Sequence, residues 1–271
     1  MFKKKHKVKP ASALRNSECR KFRAEVTQVF DLEQPTVEAA PGGEAPFSIG
    51  EELVPDGLHT SKFSTNNGDV NGVVYLDPAT GDPLWFTIAK NTKQLLIPTV
   101  YTLWKRRFLV SLSTPGPAME RIQDGADLMI PGVISITSID SASIPPLPVD
   151  SLVAITKHGS SVPLAVGQLL LPLNYLVKVI GSEEDTKGKA VRVLHWFGDH
   201  LWDSGSKREM PVSVPAIPQA SAETTETEPP AVATETAQDT DFADADLASR
   251  LGDELTLGEP PNEEVANQSP Q

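Results

Sequence analysis

Beyond Lys207-Arg208 this chain runs out of the residues from which a core is built. Residues 212–271 contain one aromatic side chain, Phe242, among Pro, Ala, Thr, Glu and Asp, and carry thirteen carboxylates against one arginine, Arg250. Such a segment buries too little apolar surface to offset the entropy lost on ordering. Residues 209–271 are therefore expected to form a disordered acidic tail. Whatever folds lies in the first 208 residues, which have room for one or two domains. Within the tail, Phe242, Leu247, Leu251 and Leu255 have the spacing to line one face of a helix. A plain linker and a partner-binding helix both fit that pattern.

A formal charge of −12 argues at first against a nucleic-acid partner. Its distribution reverses that impression, because the tail accounts for all of it and residues 1–211 are neutral overall. Residues 1–23 carry nine Lys or Arg against the one acid Glu18. This basic head, with Lys3, Lys4, Lys5, Lys7, Lys9, Arg20 and Arg23, suits contact with RNA phosphates, each of which releases counterions when neutralised. A solubilising terminus is the plain alternative. A second cluster, Lys105-Arg106-Arg107, is read either as a further RNA contact or as a solvated face. The one cysteine, Cys19, precludes an intrachain disulfide. No apolar run approaches the ~18 residues of a membrane span, and no apolar signal core follows the basic terminus. No membrane partner is expected, and a cytoplasmic protein is the simplest reading. A mitochondrial presequence in residues 1–23 and a nuclear signal at Lys3-Lys4-Lys5 are the alternatives.

Periodicity divides the folded part. Cys19, Phe22, Val26, Val29 and Phe30 form one apolar stripe, predicting a helix over Ser17–Phe30 with Ser17 as its cap. Residues 33–50, rich in Pro, Gly and Glu, read as a loop. The β-branched and aromatic runs at 72–76 and 84–88 flank a turn over 77–83 and predict a hairpin. A first α+β domain over residues 1–93 follows. Residues 94–208 then hold a connector, a short helix at Pro117–Gln123, and strands at Asp127–Ile130, Ser151–Thr156, Pro163–Leu171 and Val191–Phe197. Short strands punctuated by Gly and Pro predict a small barrel.

The chemistry of the sequence points away from catalysis. There is no GxxxxGK[ST] phosphate loop and no GxSxG elbow, and no pair of carboxylates stands at a telling spacing. Cys19 falls on the apolar stripe, as a packing residue would. No catalytic residue, metal or cofactor is expected. His195-Trp196-Phe197 and His200-Leu201-Trp202 suit base stacking, but strand alternation favours core packing, and a single cysteine without a second ligand pair speaks against zinc. Residues 119–132 read as a helix, a glycine joint, and a short apolar strand stopped by Pro131-Gly132. Glycine there permits φ > 0 or close approach of a ligand. Gly125, Ala126, Met129 and Gly132 are the candidates for RNA contact, with turn and core roles as the alternative. Asp127 is expected to bond within the fold.

That helix–Gly–strand block resembles the signature of a PUA domain, a small RNA-binding β-barrel. Three further blocks extend the resemblance: Met1–Lys9, Ile97–Trp104 and Val193–Gly205. Together with Gly125–Gly132 they stand in the order and spacing of the eukaryotic translation initiation factor 2D (ligatin) family over residues 1–208. The shorter malignant T-cell-amplified-sequence protein is similar. The resemblance implies an α+β fold: a pre-PUA α/β domain, then a PUA-type barrel, then the tail. It implies a non-enzymatic translation factor that binds the small ribosomal subunit and tRNA, in initiation or in recycling after termination. Long members continue into further domains where this chain has its acidic segment. A partner resembling density-regulated protein, which serves the short relative, is therefore also implied. The alternative is a regulatory protein that docks on the ribosome and recruits or excludes another factor through its tail.

Overall fold

The computed structural model describes residues 1–32, 48–65, 70–90, 93–138, 144–180 and 187–215. The expected tail from residue 216 onward, with its candidate helix at Phe242–Leu257, lies outside the described residues.

The first sheet is antiparallel and grows from the expected hairpin. Its order is β1 (Lys7–Val8), β3 (His59–Ser64), β4 (Asn71–Leu76), β5 (Pro83–Lys90), β6 (Lys93–Pro98), with β2 (Ser12–Ala13) also paired to β3. The turn between β4 and β5 is held by Asp77, whose carboxylate accepts from the Ala79 amide at 2.9 Å. Asp side chains favour turns because they can satisfy backbone groups locally. Helix α1 (Asn16–Val29) buries Cys19, Phe22 and Val26, and Phe22 stacks on Tyr75 with ring centroids 3.9 Å apart. Helix α2 (Ile49–Leu53) is capped by Ser48, whose Oγ accepts from the Glu51 amide. Trp85, fully buried, donates from Nε1 to the Leu53 carbonyl at 2.8 Å. Helix α3 (Val100–Leu103) follows β6 and is buried throughout.

Several local expectations shift. The cap of helix α1 lies two residues early, at Arg15 rather than Ser17: the Glu18 and Cys19 amides both donate to the Arg15 carbonyl. Val29, predicted on the buried stripe, is 56% exposed. Phe30, just past the helix, packs against Trp85 and Phe108 in its place. Residues 48–50, read as loop, are the cap and first turn of α2. The expected domain boundary at 93/94 falls at the start of β6, which pairs with β5.

The second sheet is curled, in the order β8 (Leu128–Met129), β12 (Lys189–Trp196), β11 (Pro163–Leu169), β10 (Leu152–Lys157), β7 (Ser111–Thr114), β9 (Ser135–Thr137). Among the described residues of this sheet, β7 and β10 alone pair in parallel. The two edge strands, β8 and β9, are linked directly through the 3-10 turn Ile130–Gly132, so a short connection bridges the seam of the small barrel. The predicted strand at Asp127–Ile130 is shorter than expected because Pro131 cannot donate to a ladder. Helices α4 (Gly116–Gln123) and α5 (Leu173–Val179) pack Met119, Ile122, Leu173 and Leu176 into the barrel core. Residue 167 admits only glycine, since a Cβ there would lie 2.5 Å from the Arg192 carbonyl oxygen across the bulged β11–β12 ladder.

One apolar cluster spans the two sheets. Phe2, Phe63 and Phe86 from the first cluster with Val166, Leu194 and Leu201 from the second. Tyr101 Oη donates to the Trp202 carbonyl at 2.9 Å and accepts from the Lys207 amide at 3.0 Å. The Arg208 guanidinium donates to the Tyr101 carbonyl and lies over the Tyr101 and Trp104 rings, a cation–π arrangement. Trp104 Nε1 donates to Pro163 across the junction. His195 is fully buried, and its Nδ1 donates to Asp199 Oδ2 at 2.8 Å. Asp199 also accepts from the Trp196, Leu201 and Trp202 amides. The His–aromatic block of residues 195–202 is therefore packing and scaffold. At the far end, Val214 is buried and the Arg107 amide donates to the Pro215 carbonyl, so residues 209–215, assigned to the tail, run against the folded body. Val214 is a branched apolar side chain with core to meet there.

His6 sits edge-on to Phe2 and Phe63. Burial, the largest cause, pushes its pKa below 6.5, against the attraction of Asp199. The unfolded chain then binds a proton more readily than the native one. Stability is full above pH 6.5 and declines as pH falls through 6.5 towards the lower native value. Urea melts at pH 7.5 and 5.5 should show this loss, and His6→Gln should reduce it. An equal loss in both proteins would assign the dependence elsewhere.

Candidate nucleic-acid interface

Helix α4, the joint after it and strand β8 enclose a groove of about 700 Å³. Proline sets both ends: Pro115 precedes α4 and Pro117 opens its first turn, while Pro131 ends β8. Gly125 takes φ +87°, a left-handed conformation that other residues adopt only with strain. This turns the chain from α4 into β8. Ile122 and Leu128 are buried beneath the groove, whereas Ala126 and Met129 are exposed, Met129 by 45%. A Cβ on Gly132 would approach Leu128 at 3.1 Å, so glycine keeps the wall thin there.

Electrostatics organise the rim. Asp127 does bond inside the fold: Oδ1 accepts from the Val193 amide at 3.1 Å, and Oδ2 pairs with Lys189 Nζ at 2.8 Å. That pair fixes the Lys189 ammonium at the groove. Arg121, exposed on α4, is a second cation in the lining. Lys3 is a third: its side chain lies over Gly125, and a Cβ added to that glycine would meet Lys3 Cδ at 2.6 Å. Two expected site residues more than a hundred positions apart in sequence are thus brought together. Arg121 and Lys189 escaped the sequence reading, because each stands alone in sequence and only the α4–β8–β12 arrangement makes them neighbours.

The other expected residues are dispersed. Lys4 and Lys5 are exposed, and Lys5 adds, after the Lys207 hydrogen bond and charge and His200, to the groups that lower the Asp203 carboxyl's pKa. Lys7 lies on β1, and the Lys9 amide donates to the Lys62 carbonyl, so charged side chains mark the sheet edge. Arg20 is exposed on α1. Arg23 is engaged internally, donating to the Val54 carbonyl and pairing with Asp56 at 2.7 Å. Lys105 donates to the Glu52 carbonyl, and Arg106 pairs with Glu52 at 2.8 Å. These three cations tie α1, α2 and α3 together, since a charge beside a carboxylate or carbonyl is held by it. Arg107 is directed elsewhere, into a separate recess. Among the described residues no cluster of three His, Cys, Asp or Glu could hold a metal ion, and no helix is long and apolar enough to cross a membrane.

Two family descriptions match the chain: a pre-PUA-like domain over residues 2–106 and the PUA domain of eIF2D over residues 109–200. Eukaryotic translation initiation factor 2D of Rattus norvegicus is 34% identical over 226 residues, covering 82% of this chain and 35% of its own. Translation machinery-associated protein 64 of Saccharomyces cerevisiae is 31% identical over 205 residues, covering 74% of this chain and 31% of its own. Among solved structures, a PUA domain protein of Aeropyrum pernix K1 aligns with a TM-score of 0.47 at 22% identity, over 73% of this chain and 91% of that one. The chain spans about a third of the length of the curated relatives it matches. With both sheets matched in order by those two domain descriptions, the chain belongs to the eukaryotic translation initiation factor 2D family, carrying its pre-PUA and PUA domains.

Proposed function

We propose that this protein is a translation factor that binds RNA through the α4–β8 groove, engaging the small ribosomal subunit and tRNA in the cytoplasm without itself catalysing a reaction. The observation that carries the reading is the placement of Lys3, Arg121 and Lys189 around a groove whose joint is glycine at positive φ. Backbone positioning of a sugar–phosphate chain needs cations and an uncrowded main chain, and the groove supplies both. Its apolar floor offers Met129 and Ala126 to a base or ribose face. The basic head adds charge from Lys4, Lys5, Lys7, Lys9 and Arg20. The family's role in initiation and in recycling, and a partner resembling density-regulated protein, belong to the same proposal.

Cosedimentation with purified small ribosomal subunits and anisotropy with labelled tRNA test it. Binding that weakens steeply between 50 and 200 mM salt, roughly as expected for several phosphate contacts, supports the reading. Failure to cosediment at 50 mM salt together with no tRNA binding overturns it.

A further inference from the structure

On the face of the barrel formed by β9, β7 and β10 lies a second recess, of about 330 Å³. Strand pairing builds it. Ser113 stands between Ser135 on β9 and Thr156 on β10, while Ser111 stands opposite Thr137. Alternation sends Leu112 into the core on the opposite face, where it is fully buried. The result is a ladder of five hydroxyls on one face, closed at one side by the His158–Ser161 turn. No Asp or Glu lines it.

Arg107 also lines this recess, and its Nε is shut off from solvent with no hydrogen-bond partner. Among the described residues the guanidinium has no carboxylate either, in contrast to Arg106 beside it, which pairs with Glu52. Ser113 and Thr156 beside it are 8% and 5% exposed, so their hydroxyls face the recess from a largely buried strand pair. A desolvated donor without an acceptor is unfavourable, which favours an anion beside the Arg107 guanidinium.

We infer that the recess takes one ribose–phosphate unit of a single-stranded RNA, as a second contact distinct from the α4–β8 groove. This rests on the RNA-binding reading of that groove. One cation matches the single negative charge of a phosphodiester. Hydroxyls that both donate and accept match phosphate oxygens and a ribose 2′-OH alike. The two recesses are also neighbours along the chain. Ser113 lines one and Pro115 the other, two residues apart on and after β7. Exposed Lys157 follows Thr156 and reaches towards Gly116 at the groove, where a Cβ would lie 3.6 Å from its Cε. A strand of RNA leaving the groove passes this ammonium on its way to the hydroxyl ladder.

Binding of a mixed-sequence single-stranded RNA decamer to the full chain tests the assignment, with the DNA decamer of the same sequence for comparison. The expected result is tighter binding of RNA than DNA. NMR titration of the wild-type protein should move the amides of Thr137, Gly159 and Ser160 as well as those around Arg121. Ser113→Ala with Thr156→Val should lower RNA affinity about tenfold, as loss of two hydrogen bonds implies, and erase the preference over DNA with an unchanged thermal melt. RNA-induced shifts confined to the surroundings of Arg121 and Lys189 would overturn the second site and leave the groove reading intact. Absence of any RNA binding would overturn both. Displacement of the RNA from this recess by an equimolar phosphoserine peptide would overturn the assignment to RNA.

Discussion

Replacing Asp199 by alanine is expected to lower the free energy of unfolding by about 3–5 kcal/mol, the scale for stranding several buried hydrogen-bond donors at once. Urea denaturation monitored by tryptophan fluorescence measures it. Asp199 is buried and serves four partners: the His195 ring and the amides of Trp196, Leu201 and Trp202. Alanine leaves all four donors without their acceptor in a site water does not reach. The damage does not stay local. His195 faces Phe2 and Phe86 at 6.3 and 6.1 Å, and the neighbouring His200 amide holds the Phe2 carbonyl at 3.1 Å. Trp202 stacks on Tyr101. Both sheets should therefore loosen in one transition. Asp199→Asn keeps an acceptor oxygen and loses the charge, so it should lie between wild type and alanine. A loss below about 1 kcal/mol for Asp199→Ala would mean that the network does not hold the junction.

The second large effect is on RNA affinity. Lys3→Glu with Arg121→Glu reverses two of the three cations at the groove. At 50 mM salt the affinity for tRNA should fall on the order of 10²-fold, and the slope of log K against log salt should flatten by about 1.4, or ~0.7 for each lost single-strand contact. Fluorescence anisotropy across 50–200 mM salt reads both quantities. Arg23→Gln and Arg106→Gln provide the contrast. Their side chains hold Val54, Asp56 and Glu52, so these variants should shift the urea midpoint and leave the salt slope as it is. A slope that responds equally to all four substitutions would mean that binding follows total charge and not the groove.

Much of the framework was legible because it is local. The period of Cys19, Phe22 and Val26 announced α1, the two runs around Asp77–Pro83 announced the β4–β5 hairpin, and Gly125 marked the joint between α4 and β8. Strands β1, β2, β7 and β9 were not legible. They are two to four residues long and gain their pairing from partners far along the chain. Among the cations, composition flagged the clusters but not their use. Arg23 and Lys105 looked like free charge and are held by carbonyls and carboxylates, whereas Arg121 and Lys189, isolated in sequence, converge on the groove.

By itself, then, the sequence determined where a core can form, that the excess acid lies past residue 211, and which blocks carry the family's order. Those properties depend on composition and on near-neighbour spacing, and a chain displays them unfolded. Tertiary structure alone decided which charges are free. Coulombic and hydrogen-bond partnerships act over a few ångströms, and only folding brings Lys3 over Gly125, sets Asp127 beside Lys189, and leaves Arg107 facing hydroxyls with no carboxylate.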